Sequence, residues 1–134
     1  MTSRFLVDTD VISFVLRGDT RASRFERLLA GSVAAVSFQT VAELYRGAYE
    51  RGWGELRMAR LQRLLGSSVL VPFSYDMALQ WGRIMADSRH AGVAIGVQDA
   101  WIAATALVHG LPLLTNNRKD YAHIHGLELP DPDQ

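Results

Sequence analysis

Short apolar runs alternate with longer stretches of helical period along this chain of 134 residues. The runs fall at 5–7, 33–36, 69–71, 113–114 and 127–129. They are near-continuously apolar rather than interleaved with polar residues, which predicts strands covered on both faces. Residues 20–30 predict a helix with Phe25, Leu28 and Leu29 on one side. Residues 37–51 and 55–65 predict two more, broken by Gly52 and Gly54. Ser74 suits the N-cap of another, in which Met77, Trp81, Ile84 and Met85 recur at i, i+4, i+7 and i+8. A long apolar helix follows from about 98 to 109 and stops at Gly110, with Pro112 just beyond. Strands alternating with helices imply right-handed crossovers and a parallel sheet clad by helices on both faces. The expected fold is α/β, a three-layer sandwich, with residues 1–134 forming one domain and an extra helical hairpin after the second strand.

Composition leaves that picture in place. The chain is 49% hydrophobic and 21% charged, with a mean hydropathy of +0.04, ordinary for a globular domain. It has no cysteine, which excludes a disulfide framework, a thiolate metal site and a cysteine nucleophile. No window approaches the roughly 18 apolar residues of a membrane span. Asp8 cuts the first apolar run short of a signal-peptide core, so a cytoplasmic location is expected. The formal net charge of +0 hides an asymmetry: 13 of the 14 basic residues are Arg, and Lys119 is the one Lys. Between Arg21 and Arg63, eight Arg stand against four Glu. Arg favours bidentate phosphate contact, so the bias fits a nucleic-acid partner as well as solvated helix faces.

Three acids recur where strands give way to helices or where helices begin. Asp8 closes the run Phe5-Leu6-Val7 and leads at once into Thr9-Asp10. A cap for the next helix is one use for it; Thr9 or Asp10 can also cap, which frees Asp8 for chemistry. Glu43 completes a capping box with Thr40, but Ser37 is the more natural helix start and places Glu43 in the second turn. Asp99 opens a helix that is apolar nearly all round, so its carboxylate points at the same sheet edge as Asp8. That carboxyl edge is where open α/β folds bind ligands. Three carboxylates gathered there repel one another unless a divalent cation lies between them. A polar cluster, Thr115-Asn116-Asn117-Arg118-Lys119-Asp120, follows the apolar pair at 113–114 and fits either a turn or the surroundings of a metal. The four His, at 90, 109, 123 and 125, lack chelating spacing and stay outside the site.

Asp8 in FLVDTDVI, Glu43 in SFQTVAELYRG, Asp99 in GVQDAWIAATAL and the stretch LLTNNRKDY together resemble the PIN-domain ribonucleases. Within them the chain is most similar to VapC-type toxins of bacterial toxin–antitoxin pairs, and the likeness covers nearly its whole length. The resemblance implies a five-stranded parallel sheet and acids that bind Mg²⁺ or Mn²⁺ and cleave RNA. It also implies a homodimer and a cognate antitoxin wrapped over the toxin's helices. Asp8, Glu43 and Asp99 match the three principal acids. Asn117 stands where many relatives have a fourth, and Asp120 lies three residues later. The expected ligands are Asp8 and Asp99, with Glu43 binding metal or orienting the attacking water. Asn117, Asp120 and Thr115 form an outer shell, and Thr115, Arg46, Arg118 and Lys119 are candidates for substrate contact. In the hairpin over 42–65, Tyr45, Tyr49, Trp53 and Leu56 are core or, where exposed, a groove for a partner.

Two other readings start from the same residues. Asp8-Thr9-Asp10 resembles the opening of haloacid-dehalogenase-type phosphatases, though the expected late acidic pair is missing. A receiver-like Mg²⁺-binding module would need an Asp after the third strand, where Pro72-Phe73-Ser74 stand instead.

Overall fold

A computed structural model describes residues 2–134. Its first strand, β1 (Arg4–Val7), runs through Asp8 into α1 (Thr9–Arg17), and α2 (Ala22–Leu29) returns the chain to β2 (Val33–Ser37). The helical hairpin α3 (Phe38–Glu50) and α4 (Glu55–Gly66) precedes β3 (Val69–Val71). Two long helices, α5 (Tyr75–His90) and α6 (Val97–His109), lead to β4 (Leu113–Leu114) and the short α7 (Arg118–Tyr121). The strands are all parallel, in the order β3-β2-β1-β4.

The three layers follow from the two-residue period of a strand. Leu6, Ala35 and Leu113 face one side, where they pack against Ile84 of α5 and the small residues of α6. Their neighbours Val7, Val36 and Leu114 face the other, against Val11 and Phe14 of α1, Phe25 of α2, and Leu44 and Leu61 of the hairpin. Apolar residues at consecutive positions are therefore what a sheet covered on both faces requires. On α6, Ala100, Ala103, Ala104 and Ala106 are all buried, and side chains this small let the helix lie close to its neighbours. The one hydroxyl in that run, Thr105 Oγ1, donates to the Trp101 carbonyl at 2.8 Å, so its burial leaves no polar group unpaired.

The structure amends the expectations in detail. Four strands form the sheet among the described residues, rather than five. Residues 127–129 run beside β4 but make one backbone bond to it, from Leu113 N to the Glu128 carbonyl at 2.9 Å. Pro130, with no N–H to donate, follows at once. β3 is an edge strand, so Val69 and Leu70 are exposed although they look like core in the sequence. The helix expected from residue 20 begins two residues later, because Asp19 draws Arg21 N onto its carboxylate at 2.9 Å in a turn. Gly18 and Gly110 end α1 and α6 in the left-handed conformation, at φ 66° and 62°, where a side chain is strained.

Packing this tight makes the α6 surface intolerant of bulk. Ala104→Leu is expected to lower stability by about 1–3 kcal/mol, read as a fall in the urea midpoint. An unchanged midpoint would mean that α6 has room to spare.

Candidate active site

Asp8 sits where β1 ends. Its backbone N–H donates to the Leu114 carbonyl at 2.9 Å, so the β1–β4 pairing continues through it and fixes its position at the carboxyl edge. The side chain is the N-cap of α1, with Oδ1 accepting from Thr9 N at 2.7 Å. Capping does not exclude a second use, because Oδ2 accepts from Thr115 Oγ1 at 2.8 Å and from the Tyr121 hydroxyl at 3.1 Å. Tyr121 also donates towards Asp99 Oδ1 at 3.1 Å. Asp99 is in the first turn of α6, behind the Gly96 N-cap. Two carboxylates about 90 residues apart thus meet on one phenol oxygen.

Asp10 braces the loop that carries Thr115. Its Oδ2 accepts from Asn116 N and from the Asn117 side-chain amide, both at 3.1 Å. Asn117 N in turn donates to Thr115 Oγ1 at 3.1 Å. From the neighbouring strand, Ser37 caps α3 by accepting from Thr40 N at 3.1 Å, and Thr9 Oγ1 reaches Thr40 Oγ1 at 3.0 Å. The capping box with Thr40 is therefore not formed, and Glu43 lies in the second turn of α3. Its Oε1 accepts from Gln39 at 3.1 Å. Glu43 and Asp99 line a cleft of about 780 Å³ together with Arg17, Arg46, Arg51, Arg57 and Arg60.

No Lys, Arg or His among the described residues forms a salt bridge with Asp8, Asp10 or Asp99. Burial, and then the charge of Asp10, push the Asp8 carboxyl up to about 7, against hydrogen bonds that favour the charged form. Burial likewise raises Asp10, with Asp99 adding to it, and raises Asp99, with Asp120 adding to it. Tyr121 is held protonated by burial and by its two acidic neighbours. Hard oxygen donors in excess, with no cationic side chain in salt-bridge range among the described residues, are a donor set that suits Mg²⁺ or Mn²⁺.

The remaining expected residues divide clearly. Asp120 is exposed but near enough to raise Asp99, so it belongs to the acidic rim. Asn117 is tied to Asp10 through its amide. Thr115 is 1% exposed and orients Asp8, so it cannot touch substrate as the sequence suggested. Arg118 turns to the C-terminal segment, donating to the Leu129 carbonyl at 3.2 Å and lying 3.6 Å from Asp131. Arg46 is in the cleft wall but paired with Glu50 at 2.6 Å, and Lys119 is exposed. The expectation that residues 8, 43 and 99 close on one ion is not met as the side chains stand. Among the described residues no three acidic or histidine side chains are gathered tightly enough for that. Asp8 and Asp99 make the pair, and Glu43 faces the cleft. Tyr121 and Asp10 were missed as working parts. The Asp-x-Asp spacing hinted at Asp10, while a lone Tyr at a helix end carries no signal.

A model of the PIN domain matches residues 5–126. The chain belongs to the PIN-domain family. This PIN domain is 31% identical over 126 residues to Ribonuclease VapC2 of Haemophilus influenzae, covering 92% of this chain and 94% of that one. It is similar in structure to VapBC-1 from nontypeable Haemophilus influenzae, with a TM-score of 0.81 and 27% identity over 98% of this chain and 99% of that one. A toxin–antitoxin complex from Klebsiella pneumoniae matches with a TM-score of 0.76 and 27% identity, covering 96% and 97% of the two chains. No helix of the described PIN domain is long and apolar enough to cross a membrane.

The raised carboxyls set a pH dependence. An acid with an ordinary value of 3.8 that sits at about 7 in the fold keeps its proton when the unfolded chain has lost it. Over that interval the unfolded chain binds fewer protons, so stability falls as pH rises. In EDTA the melting temperature is expected to fall between about pH 5 and pH 8. Added Mn²⁺ should restore it, and more at pH 8 than at pH 5, because protons compete with the metal. A metal-free melting temperature that climbs over this range would contradict the buried acidic pair.

Proposed function

We propose that this PIN domain, residues 1–134, is a metal-dependent endoribonuclease, the toxin of a type II toxin–antitoxin pair. The observation that carries the reading is the meeting of Asp8 and Asp99 at the carboxyl edge, without a basic partner and beside an Arg-lined cleft. Asp8 and Asp99 would hold Mg²⁺ or Mn²⁺. When bound, the ion supplies Lewis acidity and charge neutralisation at the scissile phosphate.

The chain's own residues do the rest. Thr9 N, Thr115 Oγ1 and Tyr121 keep the Asp8 carboxylate oriented. Glu43, steadied by Gln39 and open to the cleft, would accept the proton of the attacking water as its oxygen bonds to phosphorus and the P–O3′ bond breaks, the leaving 3′ oxygen taking a proton from solvent. Arg57 and Arg60 have no carboxylate in salt-bridge range among the described residues, which leaves them for phosphates on either side of the cut. Asp120 and Asn117 complete the rim, with Lys119 beside them as a further cation. The phosphatase reading loses its second acid, since Asp10 is committed to the 116–117 loop.

The hairpin exposes Tyr49 and Leu56, at 70% and 71%, while Leu61 is fully buried. A small antitoxin laid over α3 and α4 would cover those two side chains and close the cleft. A second copy of the chain is assigned to the corner of β3 and α5, where Leu70, Phe73, Tyr75 and Leu79 are exposed.

Cleavage of end-labelled RNA in Mn²⁺ tests the acids. Asp8→Asn and Asp99→Asn are each expected to lower the rate at least about 100-fold with the fold retained, since each removes a charge from the metal site. Full activity in Asp8→Asn would refute the assignment. The joint variant Arg57→Gln/Arg60→Gln is expected to weaken RNA binding and to reduce the salt slope by about one to two. An unchanged slope would remove these two residues from the RNA path.

A further inference from the structure

Tyr121 occupies a place in the acidic pair that its ring alone does not explain. The ring is 1% exposed and packed in the cluster that contains Leu6, Ala100 and Ala103. A Phe there would fill the same space. What Phe lacks is the hydroxyl, which lies 3.1 Å from Asp8 Oδ2 and 3.1 Å from Asp99 Oδ1. Both carboxylate oxygens approach this one hydroxyl, which places them within about 6 Å of each other. An octahedral Mg²⁺ with ligands at about 2.1 Å draws two of its oxygens to roughly 3–4 Å. The pair thus stands a small side-chain movement from ligation.

The two acids depend on this hydroxyl unequally. Asp8 keeps Thr9 N and Thr115 Oγ1 as donors when the phenol is removed. Asp99 accepts no other side-chain or capping bond among the described residues, so the loss falls on it. A phenol has one proton, so the two equal 3.1 Å contacts share it as a three-centre bond rather than making two full ones. It therefore links the acids without neutralising them, and their joint charge remains for a cation. Groups that orient a metal's ligands commonly change affinity by 10–100-fold when removed.

Resting on the metal-dependent reading above, we propose that Tyr121 is a positioning residue whose hydroxyl presets Asp99 against Asp8 for a divalent cation. The test is Mn²⁺ affinity of the metal-free full chain, read from the spin resonance of unbound Mn²⁺, for wild type and Tyr121→Phe. The expected result is a loss of affinity of about 10-fold or more in Tyr121→Phe, with the metal-free melting temperature nearly unchanged. Affinity within two-fold of wild type would overturn the role of Tyr121 and leave the metal site standing. A wild type that takes up no Mn²⁺ would overturn both. Should Tyr121→Phe also melt early, Asp99→Asn with and without Tyr121→Phe decides the matter. No further loss in the second background supports action through Asp99, and a full additional loss overturns it.

Discussion

The site depends on placing negative charge in a poorly solvated corner without a basic side chain to balance it. Asp8 is 6% exposed, yet its environment is tuned by donors rather than by cations. Neutral donors orient a carboxylate but leave its charge in place, so the fold carries an electrostatic penalty in this region. The Asp8 carboxyl, raised to about 7, is the mark of that penalty. A buried Arg beside it would relieve the strain and destroy the site, because the pair would then neutralise itself.

The rest of the architecture makes such a corner tenable. The parallel pairing of β1 with β4 brings Asp8 and Thr115 side by side, although they are 107 residues apart in sequence. Asp10 pins the loop after β4, and the hydroxyls of Thr9, Ser37 and Thr40 tie the end of β2 to the same edge. Asp99 arrives from the other layer, carried by a helix whose small residues let it pack closely. One side of the sheet supplies the Arg-lined hairpin and the other supplies the second acid. The cleft lies at the edge where the layers meet.

Much of this was legible in the sequence because strand ends and helix starts are written locally. Consecutive apolar residues such as Leu6-Val7 and Leu113-Leu114 declared a doubly covered sheet, and Ser37, Ser74 and Gly110 marked helix ends. Asp8 and Asp99 followed from their positions on those elements. What stayed hidden was long-range. Nothing local says that Val69 and Leu70 lie on an edge, since that depends on strand order. Likewise, nothing near Tyr121 announces that its hydroxyl faces two acids from distant elements. Thr115 read as a candidate for substrate contact because its partner, Asp8, is at the far end of the chain.

The zero net charge of the chain acquires a physical meaning once the cleft is drawn. Acid is collected at the sheet edge, while Arg is collected on α1 and the hairpin around the same cleft. A polyanion approaching this surface is drawn by the Arg wall but repelled by the bare acidic edge. A cation seated at the edge reverses the second effect and leaves the first in place. On the proposed reading, RNA docking and metal loading are therefore coupled through charge, with neither group needing to touch the other.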